Sequence, residues 1–493
     1  MTGANAIWTD LVNEEGVLSV LTEEYAQFAR PISDALVVFL EGLPADRQQL
    51  ILKEQAALPA DADVAERLGK LAQSCPALHK LGQIVARDSR LAPELRIHLQ
   101  QLESLPPSIP WGVIRDVLGR ELGPLDRLDV ELTPPALAEA SVAVVVPFRR
   151  TGAAANNELR DGVFKVLKPG IEVRMEQDLS LLEQVGRYLD QRCDELHIPA
   201  LDYQDAFEQV RDKLLHEVRL DQEQEHLKCA FAEYSDQRQV HIPQLFEFCS
   251  PRVTAMERIF GGKVTDEISD SRIERRRIAE VVVQTLLARP MFSLMNDAPF
   301  HCDPHAGNLF YTKDRRLAVL DWSLVGSLTE KHRTSVVQIM LAAATLRSDR
   351  VINSVSSLAN RGAVDRSALR RVVHGRIQQI RRGQFSGLEW LVAMLDEAVR
   401  DAGLRMPPDM MLFRKTLHTL EGVVAELDPA GISIDDVLRV EFFRQLAQEW
   451  PLRWMAPPAS RDFATRLSNA DLAETMCNLP YTVARYWLGV GAM

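Results

Sequence analysis

The stretch 301–322, HCDPHAGNLFYTKDRRLAVLDW, joins a polar turn to a short apolar strand that ends on an acid. Asp303 and Asn308 lie five residues apart in the turn, and Asp321 directly follows the apolar run 317–320. Phosphoryl transfer from a nucleotide uses this spacing, because a loop Asp orients the attacking hydroxyl and an Asn five residues later binds a metal ion. A second Asp, beyond the next hairpin, binds the metal that bridges the phosphates. The pattern therefore predicts a catalytic Asp303 and a metal site on Asn308 and Asp321.

Other interpretations of the same stretch are a polar turn followed by a capping Asp, and a metal site on His301 and His305. Pro304 breaks the helix that would align two histidines four residues apart, and no third His lies nearby in the sequence. Cys302, beside Asp303, is either a nucleophile or a small buried spacer. We favour the spacer, because unpaired cysteines are among the most buried residues.

The composition is typical of a globular protein that neither spans a membrane nor binds nucleic acid. The chain is 46% hydrophobic and 26% charged, as is usual for globular proteins. Its 493 residues are enough for two or three domains. A net charge of −12 argues against non-specific nucleic-acid binding, which requires basic patches. The six cysteines form no CxxC pair and predict reduced thiols. Without a secretory signal or about 18 consecutive apolar residues, the sequence predicts a cytoplasmic protein with at most peripheral membrane contact.

Most of the chain is predicted to be helical. Residues 1–75 are predicted as helices that break at Pro31, Pro44 and Pro59, and a further helical segment runs through 76–104 to a proline cluster.

A β-rich region follows. The segments SVAVVVPF and GVFKVL predict a strand pair, and QVHIPQLFEFCSPRVTAMERIFG predicts further strands. One continuous helix is predicted over 204–232, and from residue 272 the chain is predicted to be helical except for the hairpin in the opening stretch. A small β lobe followed by a larger helical lobe is the layout of a kinase-like fold. The predicted parts are an N-terminal helical extension 1–75, a helical segment 76–125, a small lobe 126–260, a large lobe 261–430 and a helical tail 431–493.

Lys165 in GVFKVL is a candidate for holding the α- and β-phosphates of a nucleotide. A charge on an apolar strand needs a partner, because burying it unpaired is costly. The segment HEVRLDQEQEH supplies acids, among them Glu217 and Glu223. On one continuous helix these two would point to faces roughly 120° apart, so they would serve two different lysines.

Several motifs, in one order along the chain, resemble the UbiB/AarF family of atypical kinase-like proteins, which is associated with ubiquinone biosynthesis. HKLGQ at 79–83 resembles the family's KxGQ helix, and LAEAS at 137–141 resembles its Ala-rich nucleotide loop. FKVLKPGI at 164–171 resembles its phosphate-lysine strand, and HCDPHAGN and LDW resemble its catalytic and metal motifs. The likeness runs from about residue 76 to 490. It implies an α+β, predominantly helical protein with a two-lobe kinase-like fold.

Carried over by position, the resemblance implies that Lys165 and Glu223 form the phosphate-positioning pair, and that Lys80 pairs with Glu217. In that family the KxGQ segment is thought to block the protein-substrate groove, so Lys80 and Gln83 are expected to fold over the nucleotide pocket. The implied activity is binding of ATP and Mg²⁺ with ATP hydrolysis, or phosphorylation of a small molecule or lipid-pathway intermediate rather than of protein. Further implied nucleotide contacts are Ala138, Ala140, Ser141 and Glu257.

Three positions depart from the family pattern. Arg219 stands in EVR where the family's ExD motif has an acid, and Glu139 places a negative charge in the Ala-rich loop. The metal triplet is DWS at 321–323 rather than DFG, and the family's C-terminal membrane helices are not evident. These departures indicate a divergent, soluble member.

Two other functions stay open on this basis. An aminoglycoside-kinase-type small-molecule phosphotransferase has a similar HxDxxxxN…IDW layout, although such enzymes lack the KLGQ helix. A catalytically damped nucleotide-binding regulatory module, or pseudokinase, would follow if Glu139 and Arg219 suppress transfer. The expected partners are a nucleotide and an unidentified small-molecule or lipid-like substrate. A homodimer is compatible with the sequence, and a nucleic-acid partner is not expected.

Overall fold

The computed structural model describes residues 4–85, 91–102, 109–151, 161–199, 202–266, 271–359, 364–428 and 431–490. Its backbone divides into two compact units, the first made of residues 1–232 and 243–258 and the second of residues 233–242 and 259–493. The five-part division suggested by the sequence stays a prediction. Within the described ranges, no helix is both long enough and apolar enough to cross a membrane.

Eight α-helices precede the sheet of the first unit in the part of the chain that the structure describes. Pro31 was predicted to break a helix, and this was wrong: Pro31 lies in the first turn of a helix, where its missing N–H has no intrahelical partner to lose. The proline cluster at 106 and 107 lies outside the described residues. The helices are α1 Ala4–Leu11, α2 Glu14–Ser19, α3 Ala29–Gly42, α4 Ala45–Ala56, α5 Val64–Ser74, α6 Pro76–Val85, α7 Pro93–Gln101 and α8 Trp111–Leu122.

The first unit contains an antiparallel five-stranded sheet, in which the predicted strand pair is confirmed. The order is β1-β3-β4-β6, with β2 paired to β3. Gly162 lies opposite Phe148 in the register, and a Cβ atom at Gly162 would come within 2.2 Å of the Phe148 ring. Glycine therefore lets this ring close the aromatic core of the sheet. The strands are β1 Val130–Leu132, β2 Ala138–Glu139, β3 Ala143–Arg150, β4 Asp161–Leu167 and β6 Val253–Glu257.

Four helices complete the first unit after β4. The longest, α9, packs against α3, α6 and α11. A buried ion pair joins α4 to α9, with Arg47 Nη1 2.5 Å from Asp178 Oδ1. The second carboxylate oxygen of Asp178 accepts a hydrogen bond from the backbone N of Ala77 at 3.1 Å, so one acid ties three helices together. These helices are α9 Ile171–Gln191, α10 Cys193–Leu196, α11 Tyr203–His216 and α12 Leu220–Glu233.

The second unit contains two small sheets and nine α-helices among its described residues. The predicted hairpin is formed by β9 and β10 in a four-stranded sheet of order β5-β10-β9-β7, and β8 pairs with β11 in a separate sheet. The strands are β5 Val240–His241, β7 Gly261–Lys263, β8 Asp297–His301, β9 Leu309–Thr312, β10 Leu317–Val319 and β11 Val325–Thr329. A π-helical segment, Gln284–Ala288, follows α13. The helices are α13 Arg272–Val283, α14 Arg289–Met291, α15 Glu330–Ala344, α16 Ser348–Leu358, α17 Arg366–Arg381, α18 Leu388–Ala402, α19 Pro408–Leu427, α20 Ile434–Arg453 and α21 Asn469–Val490.

Candidate functional site

A buried ion pair in the first unit joins β4 to α12. Lys165 lies within β4, opposite Val145 of β3 and Thr254 of β6. Its Nζ lies 2.8 Å from both carboxylate oxygens of Glu223. Lys165 is 8% exposed and Glu223 is 3% exposed. Burying either charge alone would be costly, so each of the two buried charges requires the other as its partner. The predicted pair is confirmed, and it fixes an ammonium group on an interior strand of the sheet.

Glu217 and Glu223 lie on two helices rather than one. Glu217 follows the last residue of α11, and α12 begins at Leu220, so the prediction of a continuous helix over 204–232 was wrong. Val218 and Leu220, in and after the turn, are buried in the helical core. Their burial explains why the helix breaks where the sequence contains neither Gly nor Pro.

At the break between α11 and α12, Glu217 pairs with a lysine other than Lys165. Its Oε2 lies 2.9 Å from Nζ of Lys80 on α6, and both side chains are mostly buried. The predicted Lys80–Glu217 pair is therefore confirmed. Arg219, in the same turn, forms two hydrogen bonds to Asp221 at 3.0 and 2.9 Å on the exposed surface. The positive charge that departs from the family pattern is thus matched locally.

The KLGQ helix, α6, is fastened to the end of α7. Gln83 Nε2 donates a hydrogen bond to the backbone O of Leu102 at 2.8 Å, and His79 Nε2 lies 3.0 Å from the same oxygen. Burial lowers the pKa of His79 to about 4, so its ring is neutral at pH 7. A Cβ atom at Gly82 would lie 3.1 Å from Leu99 and 3.2 Å from Leu102, so this glycine brings α6 close to α7. The expected position of Lys80 and Gln83 over a nucleotide stays a prediction.

The Ala-rich segment forms a tight turn between β2 and β3. The backbone N of Ala140 donates to the backbone O of Ala143 at 2.8 Å, and Ala138 pairs with Val145. Ser141 is 4% exposed, and its Oγ has no hydrogen-bond partner among the described residues. Leaving a buried hydroxyl unpaired costs about 1–3 kcal/mol. An additional polar group at this turn would remove that cost.

Glu139 does not leave an uncompensated negative charge in this turn. It is 5% exposed, and its Oε1 lies 2.7 Å from Nζ of Lys168, just after β4. Glu139 was predicted only as a negative charge near the phosphates, and the compensating charge of Lys168 was not predicted. Glu257, the last residue of β6, accepts a hydrogen bond at 3.3 Å from the backbone N of Gln244. Its implied contact with a nucleotide stays a prediction.

In the second unit, the polar turn that contains Asp303 and Asn308 connects β8 to β9. Asn308 Nδ2 donates to the backbone O of Asp303 at 3.1 Å, which closes the turn across the five-residue spacing. The backbone O of Asn308 accepts a hydrogen bond from Leu320 at 2.8 Å, which attaches the turn to the residue after β10. Both polar side chains are partly exposed. The five-residue spacing of Asp303 and Asn308 therefore corresponds to a turn that a hydrogen bond between these two residues closes.

Asp321 adopts a left-handed backbone conformation, with φ of 52°. Its Oδ1 accepts a hydrogen bond from the backbone N of Ser323 at 3.2 Å. Residues with side chains rarely adopt this conformation, although Asp tolerates it better than most. Strained backbone of this kind is concentrated at functional sites, where the surrounding structure maintains it. Asp321 is partly exposed and so is accessible to a ligand.

His301 is not placed as a metal ligand, because the backbone uses both of its ring nitrogens. Nε2 lies 3.0 Å from the backbone O of Leu320, and Nδ1 accepts a hydrogen bond from the backbone N of Asp303 at 3.2 Å. Burial lowers the pKa of His301. In the part of the chain that the structure describes, no group of three or more His, Cys, Asp or Glu side chains could hold a metal. Cys302 is completely buried, as expected for a spacer.

Comparison with models of protein families shows which family this chain belongs to. Residues 101–355 match the family model for the ABC1 atypical kinase-like domain, and residues 388–430 match the one for the UbiB helical domain. The chain belongs to the ABC1 atypical kinase-like family. The predicted kinase-like fold, α+β and predominantly helical, is therefore confirmed.

Curated relatives have related names. An aarF domain-containing protein kinase of Arabidopsis thaliana, described as uncharacterized and chloroplastic, is 31% identical over 294 residues, or 58% of this chain and 52% of that protein. An uncharacterized Synechocystis protein is 28% identical over 70% of this chain and 85% of its own length. A probable protein kinase UbiB of Pseudomonas putida is 26% identical over 72% of this chain and 66% of its own length. The matched region thus spans about half of the Arabidopsis protein and about two thirds of UbiB.

A solved structure is also similar. Rv3197 of Mycobacterium tuberculosis, determined in complex with erythromycin, aligns over 84% of this chain and 96% of its own, with a TM-score of 0.49 and 16% identity.

In this ABC1-family chain, the segment that matches the UbiB helical domain includes α19, which carries a lysine that sequence analysis missed. Lys415 Nζ lies 2.9 Å from Oδ1 of Asp303. His305 Nε2 lies 3.9 Å from the other carboxylate oxygen of Asp303. Lys415 and Asp303 are 112 residues apart, and no local sequence pattern connects them. Only the packing of α19 against the strands reveals this pair.

Proposed function

We propose that this chain is a UbiB-like atypical kinase or ATPase that binds Mg-ATP and transfers the terminal phosphoryl group to water or to a small-molecule or lipid-like acceptor. The buried pair of Lys165 and Glu223 carries the proposal. A buried ion pair seldom gains stability over apolar residues of similar size, so its presence calls for another reason. Phosphate binding by a strand lysine that a helix glutamate holds in place is such a reason.

The residues of the first unit supply phosphate recognition in this proposal. Lys165 would bind phosphate oxygens while Glu223 holds its ammonium in place. Ser141 would donate its unpaired hydroxyl hydrogen to a phosphate oxygen, which removes the cost of burying it unpaired. Lys80 and Gln83 keep, as part of the proposal, their predicted role of folding over the nucleotide pocket and blocking a protein-substrate groove, with Glu217 as the partner of Lys80.

Asn308, Asp321 and Asp303 supply the metal ligands and the base in this proposal. Asn308 and Asp321 offer an amide oxygen and a carboxylate, which are ligands that Mg²⁺ accepts together with water and phosphate oxygens. The metal would neutralise charge on the phosphates. Asp303 would take the proton of the attacking hydroxyl or water as the new oxygen–phosphorus bond forms. The bond from the terminal phosphorus to the bridging oxygen breaks, and ADP leaves with that electron pair.

Two ion pairs weigh against the pseudokinase alternative. Glu139 pairs with Lys168, and Arg219 pairs with Asp221, so neither departure leaves an unmatched charge that would suppress transfer. The proposal also includes that the protein is cytoplasmic and that its phosphate acceptor is not a protein.

Asp321→Asn tests the proposal, with Asp314→Asn as its matched control. Asp314 is an exposed acid in the turn between β9 and β10, where it pairs with Arg316. Mg-ATP is expected to raise the melting temperature of the wild type and of Asp314→Asn, because a ligand that binds only the folded state stabilises it. Asp321→Asn should lose most of that shift and its hydrolysis of radiolabelled ATP, with or without added lipids. An equal shift in all three proteins would contradict the proposal.

A further inference from the structure

Asp303 faces a fixed positive charge that its own turn does not contain. The segment 303–308, DPHAGN, includes no Lys or Arg. The backbone N of Gly307 donates a hydrogen bond to His305 Nδ1 at 3.1 Å, so the ring is held within the turn. Lys415 supplies the charge from α19, 2.9 Å from Asp303.

The position of Lys415 is built into the packing of α19. Two residues before it, Phe413 makes an edge-to-face contact with Phe300 of β8, with ring centroids 5.6 Å apart. One residue after it, Thr416 is completely buried and donates its hydroxyl hydrogen to the backbone O of His301 at 3.3 Å. Contacts on both sides of position 415 therefore hold the lysine backbone against the strand that leads into Asp303.

The ammonium of Lys415 stays accessible. The side chains of Lys415 and Asp303 are 39% and 37% exposed. An ion pair as exposed as this contributes about 0–1 kcal/mol to stability, so stability alone does not explain its placement. An ammonium group has three N–H donors, and one is enough for Asp303. The remaining donors can bind an anion that approaches the turn.

We propose that Lys415 recognises the terminal phosphoryl group of the nucleotide while it holds the carboxylate of Asp303 in place. This inference rests on the function proposed above. During transfer, charge is spread over the oxygens of the terminal phosphoryl group, and lysine clamps stabilise that charge. Since ADP lacks this group, Lys415 selects ATP over ADP. The UbiB helical domain thereby contributes a side chain to the chemistry of the kinase-like domain.

Arg414 provides a matched control. It precedes Lys415 on α19 and carries the same charge, but its Nε lies 3.0 Å from Asp396 of α18. The test compares Lys415→Met, Lys415→Arg and Arg414→Met with the wild type in two assays. The first is the thermal shift with Mg-ATP and with Mg-ADP, and the second is the kcat and KM of ATP hydrolysis.

Lys415→Met is expected to weaken ATP binding by about 10- to 100-fold, as a lost charge-assisted hydrogen bond would, and to leave ADP binding within about 2-fold. Lys415→Arg should restore part of the preference for ATP, and Arg414→Met should behave as the wild type does. If Lys415→Met retains the full ATP preference, or if Arg414→Met loses it equally, the inference is overturned while the proposed function stands. If the wild type binds neither nucleotide, both are overturned.

Discussion

The pair of Lys165 and Glu223 offers the sharpest test of how the first unit is held together. Lys165→Met removes the ammonium from β4 and leaves a carboxylate that is 3% exposed without this partner. Glu223→Gln leaves the ammonium without its carboxylate. The double variant removes both charges and keeps similar side-chain volumes. Because a buried charge without its partner is the main source of instability, the double variant should be more stable than the sum of the single effects predicts.

The contacts set the size of the effect. Both Glu223 oxygens lie 2.8 Å from Nζ, and both residues are over nine-tenths buried. Breaking a buried pair of this kind costs about 3–5 kcal/mol, whereas replacing both members with uncharged groups is often nearly neutral. We therefore expect each single variant to lose about 3 kcal/mol or more and the double variant to lose less than either, so the coupling energy in the double-mutant cycle should exceed about 3 kcal/mol.

Chemical denaturation of the four proteins measures the free energies of unfolding, and hydrogen exchange in β4 and α12 assigns the loss to the first unit. The exposed pair Lys228–Glu225, also on α12 and 2.6 Å apart, serves as a control, and its cycle should give less than about 1 kcal/mol. A coupling energy for Lys165 and Glu223 no larger than that of the control would refute the reasoning.

Three further predictions concern the first unit. His79, with a pKa of about 4 in the folded state and 6.5 as a free side chain, contributes stability that is complete above pH 6.5. That contribution, about 3 kcal/mol, should disappear as the pH falls to 4, and denaturation of His79→Gln should lack this step. Ser141→Ala should leave the melting temperature of the ligand-free protein equal or higher and reduce the Mg-ATP shift, and a lower melting temperature without ligand would argue against an unpaired hydroxyl. Gly162→Ala should cost about 1–3 kcal/mol, because its Cβ would meet the Phe148 ring at 2.2 Å; wild-type stability would contradict this contact.

The sequence by itself determined the local parts of this protein. The β-branched segments around Lys165 predicted the β3–β4 pair, because alternating apolar residues form strands wherever they can be buried. The spacing of Asp303, Asn308 and Asp321 predicted a turn, a hairpin and a following acid, since Pro and Gly restrict the backbone over a few residues. The motif resemblance predicted the pairs made by Lys165 and Lys80, and the structure contains both.

Only the tertiary structure decided which distant groups meet. The break between α11 and α12 has no local stop signal and depends on burial of Val218 and Leu220 in a core that other helices supply. The compensation of Glu139 by Lys168 depends on β2 and β4, which are brought together because both pair with β3. Lys415 reaches Asp303 because α19 packs, through Phe413 and Thr416, against β8, which lies more than a hundred residues earlier in the chain. Backbone preference acts over a few residues, whereas burial and charge pairing act between surfaces that exist only after the chain has folded.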